Sequence, residues 1–355
     1  MSFEQIFNQK SEIKEQAHAR VNIIGEHTDY TGGFVMPTLL RFNTSVEISI
    51  NKEKKYQVYS KNFKEKKIFN DFLKSKNNHW IDYIKGCLFI FYDENKKIKN
   101  TPLNILISSN IPMERGISSS AALCVSLLKS LNNFFHTQFS DKHIAILAQK
   151  VERSYIGVSG GIMDQMVSSI GIHGKAFFLD CLTLKYKLLD IPKNWKFCLI
   201  DSKVQRNLRD SSYNERYNQL KKAEEEIGIE YLGNVKIKDF DENRFSDSLV
   251  SKRAKHVITE NKRVLDAKKL LIENNIEKFG QLMNESHKSY SNDFEASTKD
   301  VDIITKRSVD SGAEGSRLTG GGFGGFTVSL MKENIYDEWY NSMKKFYSKD
   351  KFFKI

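Results

Sequence analysis

Pro112-Met113-Glu114-Arg115-Gly116-Ile117-Ser118-Ser119-Ser120-Ala121-Ala122 reads as a turn that feeds a helix. Proline and glycine punctuate the turn, and apolar residues recur at helical spacing over 118–135. A helix entered this way presents backbone N–H groups and the positive end of its dipole, which suits a polyphosphate. One serine is enough to cap a helix. Three in a row favour a ligand over the plain alternative of a well-capped helix, and one hydroxyl is within reach of a Mg²⁺ ion in such a site.

Working outward from this segment, 104–108 predicts the strand that enters the turn. Residues 44–50 and 56–59 alternate as two paired strands would, after an irregular N-terminal segment rich in glycine and charge. The densest basic stretch, 52–67, has the look of an exposed hairpin. Downstream, the pattern predicts a helix over 141–155, a break over 157–161, a short helix through Asp164, and strands over 176–180 and 197–201. Helices are expected over 213–227, 251–275 and 276–290, where apolar residues recur with charges between them. A strand over 326–331 follows a run of glycines. No internal repeat or low-complexity linker interrupts the chain.

At 355 residues the chain exceeds one comfortable hydrophobic core, so two domains are expected, residues 1–185 and 186–355. Its formal charge of +11 comes mostly from lysines interleaved with Glu, Asp and Asn, which describes a solvated surface and gives no reason to expect a nucleic-acid partner. Apolar runs fall short of the ~20 residues of a membrane span. The start of the chain lacks the apolar core of a secretory signal, and the four cysteines, Cys87, Cys124, Cys181 and Cys198, form no CxxC pair. A cytoplasmic protein without zinc or disulfides is expected, and a monomer.

Four further segments are candidates for chemistry. Gly320-Gly321-Gly322-Phe323-Gly324-Gly325 satisfies GxGxxG, yet only about thirty residues follow it, too few for a dinucleotide-binding unit, and no protein-kinase signature accompanies it. Its glycines point to close approach of backbone to a ligand or another loop, or to a simple hairpin turn. Gly157-Val158-Ser159-Gly160-Gly161 matches the nucleophile elbow of hydrolases, but that motif needs a strand before its serine, where the pattern here reads as helix. Arg20-Val21-Asn22-Ile23-Ile24-Gly25-Glu26-His27-Thr28-Asp29-Tyr30 crowds ionisable side chains around an apolar centre. The set could take a metal or a polyol, and without a second histidine at ligand spacing the polyol is at least as natural. Asp164, in Gly161-Ile162-Met163-Asp164-Gln165, is either a helix cap or a functional carboxylate.

Together these residues resemble the galactokinase branch of the GHMP kinase superfamily. Arg20 onward, ending Thr31-Gly32-Gly33-Phe34-Val35-Met36-Pro37, is similar to that branch's sugar signature. The 112–122 segment is similar to the ATP-phosphate loop, and Ser316-Arg317-Leu318-Thr319 with the glycine run to the third motif. Trp80-Ile81-Asp82-Tyr83-Ile84-Lys85-Gly86 and Tyr213-Asn214-Glu215-Arg216 also resemble family segments. The resemblance implies an α+β, two-domain GHMP kinase fold with the active site in the interdomain cleft, and ATP-dependent phosphorylation of the C1 hydroxyl of galactose. It further implies Asp164 and Arg20 as the catalytic pair, and Glu26, His27, Asp29, Gly161 and Tyr213 as sugar contacts. Gly116, Ile117, Ser118, Ser119 and Ser120 would wrap the ATP phosphates, with Trp80 near adenine, Ser120 and Glu152 on Mg²⁺, and Gly320, Gly321, Gly322 and Gly324 in the third loop. Glu114 and Arg115 depart from the family's phosphate loop, which has glycine at 114. That leaves arabinose, galacturonate or N-acetylgalactosamine as alternative substrates, and a non-catalytic sugar and ATP sensor as the alternative from another class.

Overall fold

The computed structural model describes residues 1–75, 79–112, 116–204 and 209–355. Glu114 and Arg115 lie outside the described residues. The chain separates into two units, one made of Met1–Arg20, Leu39–Met113 and Ile117–Gly171, the other of Val21–Thr38, Glu114–Gly116 and Ile172–Ile355. The strand over 175–180 hydrogen-bonds to residues 34–38, and this ladder groups the segment following Gly171 with Val21–Thr38.

The first unit begins with α1 (Phe3–Phe7), held by a capping box between Ser2 and Gln5. It continues through β1 (Ile13–Ile24), β2 (Phe34–Ile50), β3 (Tyr56–Ser60), β4 (Glu65–Phe69), α2 (Ile81–Glu94) and β5 (Leu103–Ser109). Three helices complete it, α3 (Ser119–Phe134), α4 (Asp141–Lys150) and α5 (Met163–Ile170). β1 and β2 each supply residues to both units. The strand order is β4-β3-β5-β2, with β3 parallel to β5 and β2 antiparallel to it. The expected pairing of 44–50 with 56–59 is therefore incorrect, because β5 lies between them. All of β3 and the first five residues of β5 are buried, so both are interior strands whose backbone groups need a ladder on each side. The hairpin over 52–67 forms as β3 and β4, although only β4 alternates toward solvent.

The segment before residue 44, expected to be irregular, is mostly strand. Between β1 and β2 the irregular part is residues 25–33, where Gly25 and His27 have left-handed backbone. Val46 and Ile48 of β2 and Val58 of β3 face Leu88, Phe91, Val125, Leu128 and Leu147 of the helices in one core. Each such buried side chain stabilises by roughly 1.5–3 kcal/mol relative to exposure. The helix expected over 141–155 is α-helical only to Lys150 and continues as a π-helical turn, Val151–Ile156. In that turn Gly157 N donates to Glu152 O at 3.0 Å.

The second unit contains β6 (Lys175–Asp180), β7 (Tyr186–Asp190), β8 (Trp195–Asp201), α6 (Arg209–Ile227), α7 (Ser248–Ile272), α8 (Ile276–Asn292) and α9 (Lys299–Asp310). β9 (Gly315–Leu318), β10 (Phe326–Lys332), α10 (Tyr336–Met343) and β11 (Phe352–Lys354) end it. β6 pairs with the first part of β2 and with β7, while β11-β8-β10-β9 form a separate antiparallel sheet. The glycine run joins β9 to β10 as the turn of a hairpin. Tyr30, Leu220, Val257, Tyr290, Phe294 and Leu318 share a core that ties the 25–34 loop to α6, α7 and α8. Among the described residues, no helix is long and apolar enough to cross a membrane.

Candidate active site

In the first unit, three elements bring polar groups together at Asp164. The residue sits in the first turn of α5, where its ordinary role would be to cap backbone amides. Its carboxylate is bound instead by side chains. Arg20, near the end of β1, donates from Nε to Oδ1 at 2.7 Å and from Nη2 to Oδ2 at 2.8 Å. Ser118 donates its hydroxyl to Oδ2 at 2.6 Å. These are charge-assisted bonds, and the guanidinium fork fixes the carboxylate's plane as well as its position.

Ser118 does not cap α3 with its side chain, contrary to the ordinary reading of a serine-rich helix start. It adopts left-handed backbone, with φ 65°, and its hydroxyl goes to Asp164. The elements are held in register by backbone. Arg20 N donates to Ile117 O, and Ser168 Oγ of α5 donates to His18 O at 2.8 Å. The Asp164 side chain stays 28% exposed, while Arg20 is 6% exposed. A reachable carboxylate is thus oriented from behind by a buried cation.

Glu152, on the π-helical turn, is partly buried and hydrogen-bonds with Ser120 and Gln165. Burial pushes its carboxyl up to about 7, helped by the nearby Asp164 carboxylate and opposed by Ser120, Gln165 and Arg20. The buried Oε1 of Gln165 has no hydrogen-bond partner. Among the described residues, no group of three or more His, Cys, Asp or Glu side chains is placed to hold a metal ion. Ser120 and Glu152 by themselves would be an incomplete set, which a Mg²⁺ that keeps water and phosphates as its other ligands could accept. Trp80 belongs to a separate cluster in this unit. Its ring stacks on half-exposed Phe63 at 5.7 Å, and its indole N–H donates to Glu65 at 2.8 Å.

In the second unit, the 25–34 loop carries Glu26, His27 and Asp29. Glu26 is buried, and its Oε1 accepts from Arg317 Nη1 at 3.1 Å and from the backbone N–H of Gly320 at 3.0 Å. The sugar signature and the third motif are thereby tied together. Gly320 also passes so close to Gly116 that a Cβ there would lie 2.7 Å from the Gly116 carbonyl oxygen. The hairpin-turn and close-approach readings of the glycine run both hold. His27 places Nδ1 2.6 Å from the Tyr30 hydroxyl and Nε2 2.9 Å from that of Tyr290. The Tyr213 ring packs beside it, tilted by 38°, with ring centroids 5.3 Å apart. Burial holds the Tyr30 phenol well above its ordinary range, and Tyr213 and Asp29 add to the effect.

Two polar residues that the sequence did not single out complete this network. Glu260 of α7 is fully buried and lies 3.7 Å from Arg317 and 2.7 Å from Arg263. Burial opposes its charge, yet Arg263 and Arg317 outweigh it and bring the carboxyl down to about 2. Asn261, next to it, bonds the end of the loop. The available signal was polar Arg253, His256 and Glu260 recurring at helical spacing beside Val257 and Val264, that is, on the apolar face. Ser159, the candidate hydrolase nucleophile, follows the π-helical turn and an irregular stretch, so the strand an elbow requires is missing there.

Three family models match the chain: the galactokinase galactose-binding signature over residues 1–50, the GHMP kinase N-terminal domain over 82–171 and the GHMP kinase C-terminal domain over 267–349. A galactokinase of Fusobacterium nucleatum is 35% identical, covering 97% of this chain and 92% of its own. One of Clostridium beijerinckii is 37% identical over 98% and 92%. The crystal structure of Lactococcus lactis galactokinase complexed with galactose superimposes with a TM-score of 0.93 at 30% identity, over 99% of this chain and 95% of that one. The signature that matches residues 1–50 contains Arg20 and the 25–34 loop, and the N-terminal domain match contains Ser118, Glu152 and Asp164. The chain belongs to the galactokinase family of GHMP kinases.

Proposed function

We propose that the protein transfers the γ-phosphoryl group of ATP to the C1 hydroxyl of galactose, giving galactose 1-phosphate and ADP. The observation that carries this reading is the Asp164 carboxylate, oriented by the Arg20 fork and the Ser118 hydroxyl and still open to a ligand. In phosphoryl transfer the protein mainly positions the nucleophile in line and neutralises spreading charge. Asp164 accepts the proton of the sugar hydroxyl, and Arg20 offsets the negative charge that develops beside it.

Glu26, His27, Asp29, Gly161 and Tyr213 supply the sugar contacts in this reading. The partners already holding Glu26 and His27 preset their atoms, which lowers the ordering cost of binding. Gly116 to Ser120, at the start of α3, and the turn with Gly320, Gly321, Gly322 and Gly324 receive the nucleotide phosphates, with Trp80 at the adenine. Ser120 and Glu152 would hold Mg²⁺, which when bound would neutralise phosphate charge. A cytoplasmic monomer completes the proposal.

An ADP-release screen across galactose, N-acetylgalactosamine, arabinose, galacturonate and glucose tests it. Galactose is expected to give the highest kcat/KM. Preference for another sugar would transfer the assignment to that substrate, and binding of both ligands without ADP would identify a sensor.

A further inference from the structure

The 25–34 loop is short, and its own bonds are local. Thr28 Oγ1 donates to Gly25 O at 3.0 Å and to Phe34 O at 2.7 Å, and Gly33 N donates to Thr28 O at 2.8 Å. Besides the bonds that Arg317, Gly320 and Tyr290 make to Glu26 and His27, one turn of α7 holds the two ends of the loop from outside. Glu260 Oε1 accepts the backbone N–H of Gly25 at 2.8 Å, with that of Glu26 at 3.4 Å. It also accepts the Ser286 hydroxyl at 2.7 Å, and its other oxygen accepts from Arg263 at 2.7 Å. The next residue, Asn261, holds the far end of the loop. Its Oδ1 accepts the N–H of Phe34 at 2.7 Å, and its Nδ2 donates to Gly233 O at 2.9 Å. Gly233 N in turn donates to Thr31 O at 2.8 Å.

The fit between loop and helix is close enough to explain two of the loop's glycines. A Cβ on Gly25, where φ is +106°, would lie 2.9 Å from Val264 Cγ2, and one on Gly33 would lie 2.8 Å from Asn261 Oδ1. The contact therefore needs small residues on the loop and polar ones on a buried helix face.

We infer that Glu260 and Asn261 are positioning residues for sugar binding, which clamp the two ends of the 25–34 loop and hold Glu26, His27 and Asp29 in place before galactose arrives. The inference rests on the reading that this loop receives the sugar. Neither residue is assigned to touch the ligand. A preformed loop spares galactose the ordering cost, so loosening the clamp weakens sugar binding and leaves the ATP side and the Asp164 chemistry alone.

The test uses Asn261→Ala and Glu260→Ala in the full-length protein, with Tyr213→Phe alongside. Hydrogen exchange of the loop amides, galactose titration without nucleotide, and KM for both substrates are measured. Asn261→Ala is expected to speed exchange at Phe34, raise galactose KM about tenfold and keep ATP KM and kcat within about twofold. Glu260→Ala should do the same at Gly25 with a larger loss. If removing this buried anion prevents folding, Asn261→Ala alone decides. Unchanged exchange in a folded Asn261→Ala protein overturns the clamp, and so does an equal loss toward ATP and galactose. Faster exchange with unaltered galactose affinity overturns the inference for a different reason, that the loop does not serve the sugar. Tyr213→Phe would then leave galactose KM unmoved as well.

Discussion

Each unit contains a carboxylate bound to an arginine, and the two pairs are built differently. Asp164 is 28% exposed and, among the described residues, meets a single cation, Arg20, with one hydroxyl beside it. Glu26 is 3% exposed, and its partner Arg317 is fully buried and shared with Glu260, itself paired with Arg263. The second set balances two anions with two cations away from water, where an unpaired charge is very costly. The first leaves an oriented anion accessible. Burial thus separates a pair suited to chemistry from a pair suited to holding a loop.

Removing the buried cation should give the largest effect. Arg317→Ala leaves Glu26 and Glu260 without their shared partner, and the expected loss is about 3–5 kcal/mol of unfolding free energy, read from urea titration. A loss below about 1 kcal/mol would mean that the buried set tolerates an uncompensated charge, and the contrast between the pairs would fail. Asp164→Asn acts on the pair whose carboxylate remains reachable. It keeps the shape and should leave the urea midpoint near that of the parent, while kcat falls by a factor on the order of 10² or more. Near-normal turnover in a clean preparation would remove Asp164 from the chemistry.

The smallest effect concerns Glu152. Its carboxyl is held up to about 7, so in the free enzyme it is protonated below that pH and ionised above it. If the ionised form receives Mg²⁺, kcat/KM for ATP should fall about tenfold from pH 8 to pH 6, and Glu152→Gln should flatten that limb while lowering the plateau. A flat wild-type profile would leave Glu152 without this role.

Much of this was legible from motifs, because each motif marks a place where local chemistry is unusual. The 118–135 helix, the turn before it and the short helix at Asp164 are written in glycine, serine and apolar spacing. Two kinds of feature were not. β5 separating β2 from β3 is a long-range choice, settled by which strands are buried on both faces, and alternation in 44–50 and 56–59 cannot express it. Glu260 and Arg263, three apart on a helix, have the local pattern of a solvated ion pair. The spacing of Glu260 with Val257 and Val264 points the other way, and the tertiary structure, which encloses Glu260 with Arg317, decides between the two patterns. Ser118 fell between these cases, since its helix-start position was legible but its partner, Asp164, is 46 positions away.

The π-helical turn at Val151–Ile156 places a constraint on the chain that concerns counting and not chemistry. An α-helix rotates about 100° per residue, and a π-helical turn accommodates one more residue than its neighbours do. Deleting Val151 would shift Glu152 back one position and swing its side chain by about that angle, away from Ser120 and Gln165. Every side chain of the site would still be present. Chain length in this turn therefore fixes where the Glu152 carboxylate lies as much as the residue's identity does, and a scan of substitutions would never detect it.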